Sequence, residues 1–133
     1  MEEERSRIAE AIRRLREGVH WRPEKDVQHL AKRIELGHLP GGTTVADYEA
    51  LILRVVRTPT ATVFAYRWGE TLYPTVVAEV EGVRWLVMMG LDGLIETAFP
   101  PEDPERYLAN PRFQQMGTLE ELGLCIGCSC TTT

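Results

Sequence analysis

The chain predicts an α+β domain, with three N-terminal helices packed on a four-stranded antiparallel sheet, followed by a short C-terminal helix and a tail. Three observations carry this. Apolar residues recur at helical spacing up to residue 56, the spacing turns extended after Pro59, and the extended runs are joined by links of only a few residues. Helices first and strands second is the segregated pattern in which helices cover one face of a sheet. The 133 residues suit one domain, which at this size buries roughly 65–70% of its extended-chain surface. We divide the chain into a domain over 1–124 and a tail over 125–133.

The first helix is expected over 4–17, where Ile8, Ala11, Ile12 and Leu15 form one stripe and Gly18 offers a stop. A second begins near Pro23, with Val27, Leu30, Ala31 and Ile34 as its buried stripe and Gly37 at its end. The third is capped by Thr44 with Asp47 three residues on, the capping-box spacing, and Thr58-Pro59 stops it. Extended runs follow at 61–68, 72–80, 83–89 and 93–99, rich in Val, Thr, Phe, Tyr and Trp. Glu81-Gly82 and Asp92-Gly93 suit tight hairpins, so the strands form an antiparallel meander. Beyond Pro100-Pro101 a short helix is expected from Asp103 or Pro104 to Leu108, and another turn at 118–124. The predicted core includes Ile12, Leu30, Ile34, Leu51, Ile52, Val55, Phe64, Val76, Leu86 and Ile95.

Composition narrows the function classes. No apolar run reaches 18 residues, so no membrane partner is expected. The first ten residues, MEEERSRIAE, lack the apolar stretch of a secretory signal, which predicts a cytoplasmic protein. A net charge of −5 argues against gripping nucleic acid by bulk charge, and leaves room for a local basic patch. The 13 arginines against two lysines say nothing about activity.

His29 is the first candidate group. With Val27 at zero and about 100° per residue, His29 falls near 200°, away from the predicted stripe, with Lys32 near 140° and Arg33 near 240°. A histidine between two cations can move a proton near neutral pH while the cations hold a phosphoryl oxygen. A solvated helix face that happens to hold a histidine satisfies the same spacing. His20 and His38 stand in loops with no carboxylate or cysteine at tight ligand spacing, which disfavours a histidine metal site.

On the strands, the period of two sets Val63, Ala65 and Arg67 on one face and Phe64, Tyr66 and Trp68 on the other. Arg67 and Arg84 are candidate substrate contacts beside Lys32, and the Thr97 hydroxyl is a candidate phosphate contact; ordinary surface positions explain these residues equally well.

The tail holds every cysteine of the chain, Cys125, Cys128 and Cys130, spaced C-x2-C-S-C. Three thiolates this close can bind zinc or iron. The string resembles the metal motif of nitrile hydratase α-subunits over six residues. A Cys, Ser and Thr tail behind a folded domain also suits a substrate of a tail-modifying enzyme, and a flexible terminus remains the plain alternative.

The order of elements, with HLAKR at 29–33, TTVADYEALILRVVRTP, the strand run and GLIETAFPP at 93–101, resembles the BECR-type nuclease superfamily, which joins barnase, EndoU, colicin-type and RelE-type ribonucleases. The resemblance spans residues 25–100. It implies a metal-independent endoribonuclease, a toxin or phage-linked protein, with RNA as substrate and an antitoxin or immunity protein as partner. By the resemblance His29 would be the general acid/base, Arg33 would stabilise phosphate charge and Thr97 would orient the scissile phosphate. The sequence departs from the family pattern at Ile34, where a second histidine is common. The alternative function is a folded carrier or binding domain that presents the cysteine tail.

Overall fold

A computed structural model describes residues 2–124, so the tail cysteines lie outside the described residues. The α+β class is as expected, and the sheet gains a fifth strand. In chain order the elements are α1 (Glu2–Glu17), α2 (Lys25–Glu35), α3 (Val45–Val56), β1 (Thr62–Trp68), β2 (Thr71–Val80), β3 (Val83–Met89), β4 (Ile95–Phe99), α4 (Pro104–Leu108) and β5 (Phe113–Thr118). The sheet order is β4-β3-β2-β1-β5 and every neighbouring pair is antiparallel.

The first four strands form the expected meander. Glu81 and Gly82 both adopt positive φ (52° and 83°), the geometry that matches the twist of a two-residue hairpin. Gly93 has φ 86°, and a Cβ there would stand 3.3 Å from the Ala11 carbonyl, so the β3–β4 turn is drawn tight against α1. The unexpected β5 adds to the open side of β1, and the Leu119 N–H then bonds the Ala61 carbonyl at 3.0 Å. Its run, FQQMGT, is polar because an edge strand wets its outer groups, so it shows no apolar alternation.

α1 and α3 cover one sheet face as predicted. Ile8, Ile12 and Leu15 meet Ile52, Val55 and Val56 above Val63, Val76, Val87 and Ile95, all fully buried. The Thr44–Asp47 capping box forms in both directions. Tyr48 is fully buried, and its hydroxyl donates to the Ala98 carbonyl across to β4. The opposite face carries a smaller core of Phe64, Val77, Leu86 and Met88, with Tyr66, Tyr73, Phe99, Leu108 and Phe113 packed around it. Of the aromatic face of β1, Phe64 and Tyr66 are thereby spent on packing, while Trp68 stays exposed.

α2 is where the sequence reading of the core fails. Val27 is 62% exposed, whereas Arg33 is only 6% exposed. The helix is rotated so that His29, Leu30, Arg33 and Ile34 turn inward. It meets α3 and the edge strand β4 rather than the open sheet, so its inner face need not be wholly apolar. Glu24, at φ 66°, sets the start of the helix two residues later than Pro23.

Candidate functional site

The site is the seam between α2 and β4. Its outer wall is the segment 20–22. The Ile95 N–H bonds the His20 carbonyl at 2.8 Å, and Trp21 bridges Ile95 in parallel, so this segment runs along the edge of β4. β4 is irregular here. Met89 pairs with Ile95 and Met88 with Thr97, leaving Glu96 as the extra residue of a bulge. Arg22 locks the bulge, with Nε 2.8 Å from Glu96 Oε2 and Nη1 2.9 Å from Asp92 Oδ2. The Trp21 indole donates to Glu49 at 2.9 Å, packs on Tyr48 at 5.4 Å, and lies 6.0 Å from the His29 ring. Those contacts fix the imidazole from one side.

His29 is half-buried, and its Nε2 is fully enclosed with no hydrogen-bond partner among the described residues. Burial holds its pKa below the ordinary histidine value, with Arg33 and Lys25 adding to the effect and the Glu96 main chain opposing it. Arg33 follows one helical turn later, a rise of about 6 Å. Its Cζ stands 5.5 Å over the Phe99 ring. No carboxylate is bonded to this guanidinium among the described residues, and its Nε is buried without an acceptor. Burial depresses its pKa as well, and it stays charged at neutral pH.

A third group, His38, is one the sequence reading set aside. Gly37, at φ 77°, reverses the chain after α2, so the His38 N–H bonds the Arg33 carbonyl at 2.8 Å. The His38 Nδ1 is also buried and unpartnered. Its pKa lies below the ordinary value, first through burial and then through Arg33, with Glu102 opposing. Arg33 therefore acts electrostatically on both histidines. The signal in the sequence was a glycine-histidine pair at a helix end, which returns the histidine to the last turn. Arg33 and His38 open into a groove of about 630 Å³, walled by Leu36, Val83, Phe99, Pro100, Pro101 and Glu102.

The other expected site residues distribute as follows. Thr97 pairs with Met88 and shares the strand face of Phe99, about 7 Å along the strand from the residue Arg33 covers. No hydrogen bond joins Thr97 to His29 or Arg33. Lys32 is exposed on α2. Arg67 is bonded to Glu4 of α1 at 3.1 and 2.9 Å and to Gln114 at 2.7 Å, on the far side of the sheet from β4. Arg84 lines hollows of about 370 and 440 Å³, neither of which contains His29 or Arg33. No group of three metal-ligating side chains converges among the described residues. No described helix is long and apolar enough to cross a membrane.

No family model matches the chain, and neither a curated protein nor a solved structure shows significant similarity to it.

Proposed function

We propose that the α2–β4 seam carries a metal-independent endoribonuclease activity, with His29 as the acid/base and Arg33 as the phosphate-binding cation. One observation carries the reading: a buried arginine without a counter-charge, set between two histidines whose inner nitrogens are also unpartnered. Structural arginines that deep are held by carboxylates, because a lone buried charge is costly. An anionic group of the substrate supplies what the fold leaves out.

The chemistry follows from the positions. A neutral imidazole is the required form of a base, and burial keeps His29 neutral at pH 7. Its Nε2, enclosed in this structure, must come open to the substrate to accept the proton of an RNA 2′-hydroxyl; the O2′–P bond then forms, the P–O5′ bond breaks, and the 5′-oxygen leaves with a proton from solvent. Arg33 stabilises the charge that develops on the phosphoryl oxygens. The nucleophile belongs to the RNA, so this route calls for no metal. Thr97 lies on the Phe99 face of β4, away from the Trp21 and Tyr48 rings beside His29, so orienting the phosphate falls to Arg33. Lys32, on the exposed side of α2, meets the neighbouring backbone. Arg67 has no part in this reading, since Glu4 already holds it.

RNA as the substrate, an antitoxin or immunity protein as the inhibitory partner, and action in the cytoplasm come with this reading. The test is cleavage of a labelled RNA in excess chelator by the wild-type chain and by His29→Ala. The expected loss in the variant is about 10²-fold or more, the scale of a lost general base. Intact RNA with the wild-type chain from pH 5 to 9 would remove the activity.

A further inference from the structure

We infer that the groove at the end of the seam binds a nucleoside phosphate, with the phosphate on Arg33 and His38 and the base against the wall of Leu36, Val83, Phe99 and Pro101. The inference rests on the proposed activity for the choice of a nucleotide as ligand, and it extends that site from the shared Arg33 to His38 and the apolar groove wall.

Four features support it. First, Arg33 is more than nine-tenths buried, lines the groove and has no carboxylate among the described residues. A guanidinium offers five donors in a fixed fork, a geometry that suits two oxygens of one phosphate. Second, His38 lines the same groove with its Nδ1 enclosed and unpartnered. Its main-chain bond to the Arg33 carbonyl ties the two residues into one unit. Third, the remaining wall is apolar except for Glu102, and it includes large side chains left open to solvent. Leu36 is 53% exposed and Val83 45% exposed, and both line the groove. Two exposed aliphatic residues lining the same groove as a buried cation suit a flat apolar ring attached to an anion. Fourth, the groove volume of about 630 Å³ falls in the ordinary range for a small-molecule site.

Glu102 sets the selectivity. It stands on the chain just after Pro101 and acts on His38. A carboxylate at the rim repels a second negative charge, so the groove favours one phosphate over a polyphosphate chain. Its carboxylate also accepts hydrogen bonds, which suits the amino or imino edge of a base.

The experiment is a titration of the full chain with adenosine 3′-monophosphate, inorganic phosphate and acetate, followed by the histidine ring proton resonances. Because the nucleotide has no scissile diester, turnover does not enter. The expected result is a shift of His38 with the nucleotide and with phosphate, and no shift of the exposed His20. The nucleotide should bind about 10-fold more tightly than phosphate. Arg33→Met should weaken both about 10-fold or more, the scale of a charge-assisted hydrogen bond. Leu36→Ser and Val83→Ser, on exposed side chains, should weaken the nucleotide and leave phosphate unchanged. An unperturbed His38, equal affinity for acetate and phosphate, or full affinity in a folded Arg33→Met would each overturn the inference. His29→Ala separates the two readings. If it binds nucleotide like the wild-type chain while RNA is never cut by either, the activity fails and the subsite stands. RNA cleavage with no nucleotide response at His38 gives the reverse.

Discussion

Replacing Arg33 by methionine should make the protein more stable. The guanidinium is 6% exposed, faces no carboxylate among the described residues, and leaves its Nε without an acceptor. An unsatisfied buried donor costs about 1–3 kcal/mol, and more when it is charged. The favourable contact that opposes this is the stacking over Phe99 at 5.5 Å. A cation over an aromatic ring contributes about 0.5–2 kcal/mol. Methionine keeps most of the aliphatic volume and retains contact with the ring. The balance favours the variant by about 1 kcal/mol, which raises the melting temperature of a domain this size by about 3–5 °C. Thermal melting and urea titration without phosphate measure it. A fall of several degrees would refute the reasoning, because it would mean that favourable bonds hold the arginine and that its position is structural. The expected sign is that of a functional group kept at the expense of stability.

Three other outcomes follow from the same geometry. Tyr48→Phe removes the hydroxyl that donates to the buried Ala98 carbonyl, and should lower stability by about 1–2 kcal/mol in urea titration while leaving the Trp21 stacking in place. His29 and His38 both hold protons less tightly in the folded chain than in the unfolded one. The unfolded chain therefore binds more protons just below the ordinary histidine value of about 6.5, so stability is complete above that pH and falls as pH drops through the window. Urea midpoints at pH 8 and pH 5.5 should show this slope, and His29→Asn with His38→Asn should flatten it. Asp92 and Asp47 have lowered values, so their contributions persist to lower pH and are lost only in the acid carboxylate range.

The sheet and the third helix could be read from the chain because their signals are local. Val63 and Ala65 alternate with Phe64 and Tyr66, Glu81-Gly82 makes its hairpin, and Thr44 and Asp47 cap each other three residues apart. β5 was missed because Gln114 and Gln115 carry no apolar period, and only the open edge of β1 makes them a strand. α2 was placed correctly, and of its expected stripe Leu30 and Ile34 turn inward while Val27 and Ala31 stay exposed. Its strongest apolar stripe contains Val27, which ends up exposed, while the buried place goes to an arginine. Rules that send arginine to the surface hide such a residue. His29 and Arg33 could be picked out as a pair four residues apart. Their burial could not, since it comes from Trp21 in the 20–22 segment, Tyr48 on α3 and Phe99 on β4. The engagement of Arg67 was equally hidden, because its partner Glu4 lies 63 residues away in sequence.

The most direct test of the account is the chemical identity of the ends left when the purified chain acts on RNA in excess chelator. Attack by the 2′-hydroxyl, with His29 as base and Arg33 on the phosphate, predicts a 2′,3′-cyclic phosphate on one fragment and a 5′-hydroxyl on the other. Ends bearing a 3′-hydroxyl and a 5′-phosphate, or RNA left whole, would contradict it.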